Sequence, residues 1–320
     1  MEVQSCFYEG YILLMKRLIL IRFGQGVFAL WAVSLIVFGL GRISGDPSYT
    51  MMAMDATVEE REAFKEQLGL NDPLVVQYSR YLGNLLKGNL GKSLKYPEVG
   101  AGGAILDRLP ATLYLAGVSL ALAVFIGVPL GIIGAVKRDT LFDQGSKILA
   151  LLGQSMPNFW LGLMMMWIFS VKLGWLPAGE LGGWKHIIMP AITLGSFQIA
   201  AITRLVRSAM LETLDTEYVK LVRIKGVKES KVVWVHCLRN AAPTPLTYFG
   251  MFAAVLMTGS VTTETIFSWP GTGQLAFQSV LARDFGLIQG LVLVFAAIFV
   301  ISSFLVDVLY AYLDPRIRFN

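Results

Sequence analysis

The sequence predicts an all-α polytopic membrane protein with six transmembrane helices. Three observations carry this prediction: 55% of the 320 residues are hydrophobic, only 15% are charged, and the apolar residues form long runs. A soluble domain averages about 25% charged residues, and a spanning helix needs about 20 apolar residues. Six runs meet that length, at 18–41, 111–136, 148–171, 187–206, 246–267 and 286–310.

The basic residues are divided unequally between the two sides that these six spans define. With an internal N-terminus, the internal segments carry 16 Lys and Arg against 9 Asp and Glu, and the external segments carry 11 against 12. An excess of Lys and Arg is typical of cytoplasmic segments. This predicts that both termini, 1–17 and 311–320, are cytoplasmic. It also assigns the net charge of +5 to membrane topology rather than to nucleic-acid binding.

A long polar segment, 42–110, separates the first span, 18–41, from the rest. Charged residues between 59 and 66 and helically spaced apolar residues between 75 and 85 predict an extracytoplasmic helical insertion. The remaining five spans form a core at 111–310, which includes a cytoplasmic loop at 207–245.

Within that loop, residues 211–225 predict an amphipathic helix. Its apolar face comprises Leu211, Leu214, Tyr218, Leu221 and Val222. Asp215 or Thr216 is a candidate cap, and Gly226 suits the left-handed position that ends a helix. A second basic helix is expected at about 229–240. The pattern leaves two alternatives: an interfacial helix pair on anionic lipid, or an apolar ridge for a groove on a partner protein.

The sequence offers no ATP, metal or catalytic site. Gly91-Lys92-Ser93 resembles the end of a phosphate-binding loop, but the required earlier glycine is replaced by Leu86. His186 and His236 are predicted on opposite sides of the membrane, so they cannot share a metal ion. No nucleophile elbow is present. We therefore expect no enzyme activity and no cofactor in this chain.

A series of motifs resembles the permeases of ABC importers. The cytoplasmic signature loop is matched by Tyr218-Val219, Arg223-Ile224-Lys225-Gly226, His236-Cys237-Leu238-Arg239-Asn240-Ala241 and Pro243. Further motifs occur in the family's order over about 15–320, at 45–47, 68–73, 77–78, 88–94, 108–113, 264–273, 283–284, 307–310 and 314–318. The chain most resembles the first, B-type permease of the dipeptide/oligopeptide (peptide/nickel) family. It departs from the broad signature at Lys220-Leu221-Val222, where Glu-Ala-Ala is usual.

The resemblance implies the type I permease fold of ABC importers and a bacterial inner-membrane location. It implies a second homologous permease, two cytoplasmic ATPase subunits that bind ATP and Mg²⁺, and an extracytoplasmic solute-binding protein. It assigns coupling to the ATPases to residues of the 211–240 loop, namely Glu217, Tyr218, Lys220, Leu221, Arg223, Lys225, Gly226, His236, Arg239 and Asn240.

The expected cargo is di- or oligopeptides, with nickel, glutathione, opines or sugars as alternatives within the same machinery. An autonomous secondary transporter or channel is the alternative from a different class. It would require charged groups within the membrane for ion coupling, and the last predicted span offers Asp307 for this role.

Overall fold

The computed structural model describes residues 2–43, 57–257 and 260–313, and these ranges are helical with connecting turns. The motif at 45–47 and the end of the predicted tail, 314–320, lie outside the described residues. The chain forms two compact units. The first comprises Met1–Pro110 and Gly271–Phe304, and the second comprises Ala111–Pro270 and Leu305–Asn320. The all-α prediction is confirmed for the described residues.

The first unit contains the N-terminal helices. These are α1 (Glu2–Ile43), α2 (Val58–Leu68), α3 (Leu74–Leu86) and the start of α4 (Gly100–Val136). Helix α2 begins with a capping box, because Thr57 accepts from the backbone N–H of Glu60 while Glu60 accepts from that of Thr57. Such reciprocal bonds satisfy amides that a helix start leaves unpaired. This sequence signal explains why the helix begins at Val58.

In the first unit, the Asp284 carboxylate binds both residues 93–95 and the first turn of the helix that follows it. The carboxylate, which is fully buried, accepts from the Ser93 hydroxyl at 2.6 Å and from the Leu94 and Lys95 amides at 2.8 and 3.2 Å. The other oxygen accepts from the Leu287 amide at 3.1 Å, near the start of a long helix. Ser93, the last residue of the rejected phosphate-loop motif, therefore has a structural partner.

The second unit contains the remaining helices of the core. In order they are the rest of α4, α5 (Leu141–Ser155), α6 (Asn158–Met165), α7 (Ile188–Leu214), α8 (Glu217–Ile224), α9 (Glu229–Lys231), α10 (Leu238–Ala241), α11 (Pro243–Met257) and α12 (Val261–Ile266). Two π-helical segments, Met166–Lys172 and Val232–Cys237, follow α6 and α9. Helices α13 (Thr272–Leu281) and α14 (Phe285–Leu313) follow in sequence, and α13 and the part of α14 up to Phe304 belong to the first unit.

Helices α4 and α7 pack closely in the second unit. A side chain at Gly131 would lie 2.7 Å from both the Thr203 carbonyl and the Val206 side chain, so glycine is required for this approach. Small residues of this kind allow helix backbones to meet in lipid. Ile132, Ile202, Val206 and other residues around the contact form a buried apolar cluster that extends to α8.

The predicted count of six spans is not reached among the described residues. Four helices there are long and apolar enough to cross a membrane, and α5 with α6 and its π-helical continuation forms a fifth candidate bent by 105°. The bend falls at Pro157, which lacks the N–H needed to continue the helical hydrogen bonds. The third predicted span is therefore a sharply bent helix pair and not one straight helix.

The fifth predicted span, 246–267, is divided between α11 and α12. Helix α11 has 15 described residues, since 258–259 lie outside the described ranges. These 15 residues span about 22 Å at 1.5 Å per residue, which is shorter than a hydrocarbon core of about 30 Å. Ser260 accepts from the Thr263 amide and caps α12. Hydroxyl side chains that bind nearby backbone compete with a continuous helix, and this explains the new helix start.

Candidate functional site

The candidate site is the coupling segment, which we define as residues 216–241. The prediction of one helix over 211–225 is wrong. Helix α7 continues to Leu214, and α8 begins after Thr216, whose backbone is extended. Thr216 is the capping residue, but its hydroxyl donates to the Thr213 carbonyl at 2.7 Å instead of accepting from α8. That bond belongs to the turn that separates the two helices.

The buried face of α8 also differs from the predicted face. Val219 and Val222 are buried, at 0% and 9% exposure, in the cluster that includes Val206 of α7. Leu221 is 57% exposed and Ile224 is 80% exposed. The break at residues 215–216 places Leu211 and Leu214 in α7, so the predicted face of five apolar residues does not form on one helix.

A turn at Gly226 joins the two limbs of the coupling segment, which are α8 and the stretch from Glu229 to Ala241. Gly226 has φ of 72°, and its amide donates to the Arg223 carbonyl at 2.9 Å. The predicted left-handed conformation is confirmed. A side chain at Gly226 would meet no atom within 4 Å, so the backbone conformation is what makes glycine suitable there.

Two ion pairs cover the exposed surface of the segment. Arg223 donates to both carboxylate oxygens of Glu229, at 3.2 Å from Nε and 2.7 Å from Nη2, and this hydrogen bonding raises the pKa of the guanidinium. Lys220 donates to Glu217 at 2.7 Å, which raises the pKa of its ammonium group. Exposed pairs add little to stability, so their effect is chiefly on local shape.

The second limb runs continuously through helical conformations from Glu229 to Ala241, as predicted for 229–240. His236 contacts the first limb, since its Nδ1 lies 2.8 Å from the Tyr218 hydroxyl. The Asn240 amide donates to the His236 carbonyl at 2.9 Å. Val232 and Cys237 are fully buried, and burial raises the pKa of the Cys237 thiol. The two limbs are therefore anchored on the same apolar cluster.

The ten residues predicted for coupling all lie in this segment, and all are exposed except the half-buried His236. Their role in coupling stays a prediction. Ile224 was not predicted as a surface residue, and Val219 was not predicted as a buried anchor. Both could have been found by placing the helix start at Thr216 and reading the two faces again.

A buried ion cluster between α5 and α7 was not predicted from the sequence. The Asp143 carboxylate on α5, with no exposed surface, binds Arg207 of α7 through two bonds of 2.6 and 2.9 Å. Lys147 approaches the same carboxylate at 2.8 Å. The spacing of Asp143 and Lys147 is a helical i,i+4 signal, whereas Arg207 is 64 residues away and has no local signal.

Comparisons with known proteins find a matching family over most of the chain. Residues 127–319 match the family described as binding-protein-dependent transport system inner membrane component. Residues 15–116 match the N-terminal region of binding-protein-dependent transport system membrane components.

Two relatives illustrate the similarity. The di/tripeptide transport system permease protein DppB of Pseudomonas aeruginosa is 39% identical over 327 residues, which covers 93% of this chain and 97% of the relative. The oligopeptide transport system permease protein AppB of Bacillus subtilis is 38% identical over 285 residues, which covers 86% and 90%.

A solved structure has a similar fold. A chain of the MetNI methionine ABC transporter, in inward-facing conformations, gives a TM-score of 0.55 at 20% identity. The match covers 66% of this chain and 96% of that chain. At this identity the likeness concerns the fold, which is that of an ABC importer permease.

Proposed function

The chain belongs to the family of binding-protein-dependent transport system inner membrane components, and from this premise we propose that it imports di- and oligopeptides. It is thus a multi-pass membrane permease subunit of an ABC importer. The peptide cargo is supported by relatives at 38–39% identity that are named as di/tripeptide and oligopeptide permeases. Both alignments extend over most of the two chains, so the likeness is not confined to one shared segment.

The observation that carries the coupling proposal is the two-sided character of α8. Val219 anchors the helix in the apolar cluster, while Leu221 and Ile224 project as exposed apolar side chains from the other side. A short apolar ridge on a fixed helix suits a groove on a partner protein. We assign that groove to a cytoplasmic ATPase subunit.

The proposed mechanism is alternating access. Each of two ATPase subunits binds ATP and Mg²⁺, and a second homologous permease completes the membrane path. The ATPase holds the coupling segment differently in its two states, and α8 passes that difference to α7 and α4 through the buried cluster that they share. Differential contacts of this kind are what a partner needs to shift a conformational equilibrium. A solute-binding protein delivers peptide on the opposite side.

Replacing Ile224 by Glu tests the docking surface. Because Ile224 is exposed, the variant should still insert and fold. A carboxylate on the ridge would oppose binding of the ridge in an apolar groove. Recovery of the ATPase with the purified permease should fall at least about tenfold, as for a central interface residue. Ile224→Leu is the matched control and should keep the partner. Wild-type ATPase recovery and peptide-stimulated ATP hydrolysis with Ile224→Glu would contradict the docking role.

Competition uptake tests the cargo. Cells that depend on this permease receive a labelled dipeptide together with unlabelled peptides of increasing length, glutathione or nickel. Peptides should compete and nickel should not. Uptake of nickel or glutathione without uptake of peptides would replace the cargo while leaving the permease assignment intact.

Cysteine labelling tests the orientation, in which the termini are cytoplasmic and α2 is extracytoplasmic. Glu62 is exposed on α2, so Glu62→Cys presents an accessible thiol. A membrane-impermeant reagent should label it in intact spheroplasts. Labelling restricted to inside-out vesicles would reverse the topology.

A further inference from the structure

A cavity of about 200 Å³ opens between α5 and α7 in the second unit. Its polar lining includes Lys147, Gln154, Arg204 and Arg207. The coupling role uses none of these side chains. Helix α7, which lines the cavity, ends at Leu214, and α8 of the coupling segment begins at Glu217. The cavity is therefore lined by the helix that leads into the coupling segment.

The cavity carries an excess of positive charge. Lys147 and Arg207 both bind the Asp143 carboxylate, whereas the neighbouring carboxylate of Asp139 pairs with Arg138. Arg204 instead donates to the neutral amide oxygen of Gln154 at 3.2 Å. Three cations and one carboxylate leave two positive charges. Their field would attract an anion of headgroup size.

The basic groups are held in place before any ligand arrives. Arg207 is 20% exposed, and its guanidinium is fixed by the forked contact with the buried Asp143. A guanidinium has five N–H donors, of which this contact uses two. A fixed planar donor set suits phosphate oxygens, which arginine binds through paired hydrogen bonds.

An apolar surface continues from the cavity along α5. Leu151, which lines the cavity, is 66% exposed, and Ile148 and Leu152 on the same helical face are 57% and 43% exposed. A soluble anion would use the charges alone. A phospholipid presents an anionic phosphate beside acyl chains and so matches both features.

We propose that this cavity binds the headgroup of an anionic phospholipid, with the acyl chains lying along Ile148, Leu151 and Leu152. In the orientation proposed above, the cavity lies on the cytoplasmic side, where basic pockets between membrane helices bind such headgroups. The bound lipid joins α5 to α7, the helix that leads directly into the coupling segment. The inference concerns a lipid site and does not depend on the identity of the cargo.

Lipid retention by the full-length permease, purified with the subunits that accompany it, tests the proposal. Native mass spectrometry compares nanodiscs containing phosphatidylglycerol with nanodiscs containing phosphatidylethanolamine. The wild type should retain phosphatidylglycerol preferentially. Arg204→Gln and Lys147→Gln should each weaken retention about fivefold, the factor for one basic residue at an anionic surface. Neither change removes Arg207 from Asp143, so folding should be preserved.

Arg138→Gln is the matched control, because it removes one positive charge nearby without lining the cavity. It should retain lipid as the wild type does. Equal retention of both lipids, or wild-type retention by Arg204→Gln, would overturn the proposal. Displacement of lipid by inorganic phosphate would identify a soluble anion as the occupant. Loss of another permease subunit from Arg204→Gln, with lipid retention unchanged, would identify a protein interface instead.

Discussion

Arg223 and Glu229 face each other across the turn at Gly226, and the guanidinium donates to both carboxylate oxygens at 3.2 and 2.7 Å. The turn between them requires a left-handed backbone at Gly226. Packing contributes little there, because a side chain at Gly226 would contact nothing within 4 Å. The exposed end of the coupling segment is therefore shaped by one backbone conformation and one ion pair.

Gly226→Val should impair coupling without preventing membrane insertion. A β-branched residue is strained at the observed φ of 72°, at a cost of about 1–2 kcal/mol, and the turn would relax by moving α8 relative to Glu229. We expect ATPase recovery and peptide uptake to fall together. Both are measured on membranes with matched permease content.

The control for this prediction is Gly226→Asn. Asparagine tolerates the left-handed conformation, and the open space around Gly226 accommodates its side chain. It should retain most of the transport activity. Equal losses in both variants would mean that the absence of a side chain matters, rather than the backbone conformation.

Asp143→Asn should destabilise the second unit. The change keeps the shape of the side chain but removes the charge that binds Arg207 and Lys147. Breaking a fully buried pair costs about 3–5 kcal/mol. Because both cations reach solvent, we expect about 2 kcal/mol here, which corresponds to a fall of about 5 °C in the apparent melting temperature.

Asp139→Asn provides the comparison, since Asp139 pairs with Arg138 at 3.4 Å and its side chain is 78% exposed. Its melting temperature should stay within about 1 °C of the wild type, as an exposed pair contributes little. Thermal unfolding of the detergent-solubilised proteins measures both. An unchanged melting temperature for Asp143→Asn would show that the buried carboxylate is not stabilising.

Local signals in the sequence predicted some features well. Long apolar runs predicted α4, α7 and α14, because continuous burial in lipid leaves a continuous pattern. Gly226 was predicted because a left-handed turn favours one residue type. The buried face of α8 was not predicted, because it depends on where the helix begins. The helix begins after Thr216, whose hydroxyl binds the Thr213 carbonyl in the preceding turn.

Contacts between residues that are far apart in the chain could not be predicted from the sequence. The contact between Asp143 and Arg207 joins residues 64 positions apart, and no periodicity links them. The division of the fifth predicted span depends on whether Ser260 binds the backbone of Thr263 or leaves the helix intact. The hydroxyl-rich composition fits both outcomes.

Cys237 should resist thiol reagents in the folded permease. The thiol is fully buried, and burial raises its pKa, so both access and the thiolate fraction are low. In a Cys6→Ser background, labelling with a maleimide at pH 8 should be markedly slower in the folded protein than in denaturant, because the thiolate is the reactive form and burial limits both access and ionisation.

The raised pKa of the Cys237 thiol also makes the free energy of unfolding depend on pH. The unfolded thiol ionises at its ordinary pKa while the folded thiol remains protonated, so this contribution to stability is present below the unfolded pKa. It is lost as the pH rises towards the raised folded value.

The control for the labelling experiment is an exposed thiol. Ser230→Cys in a Cys6→Ser, Cys237→Ala background places a thiol at an exposed position nearby and should label rapidly. Rapid labelling of native Cys237 would contradict its burial.

Asp284→Asn should loosen residues 93–95 and the start of α14 together. The carboxylate accepts from Ser93, Leu94, Lys95 and Leu287, whereas an asparagine would turn its NH₂ group towards some of these donors. Hydrogen bonds to charged groups contribute about 1.5–3 kcal/mol each, so local opening should become more frequent. Ser93→Ala removes one of the four donors and should have a smaller effect.

Hydrogen exchange at the amides of Leu94, Lys95 and Leu287 measures this loosening. Exchange should accelerate most in Asp284→Asn, less in Ser93→Ala, and not in Asp72→Asn, whose carboxylate forms an exposed pair with Arg80 at 2.9 Å. Ser93 and Asp284 are 191 residues apart. Acceleration at Leu94 and Lys95 without any change at Leu287 would mean that the carboxylate supports only the loop, and that another contact starts α14.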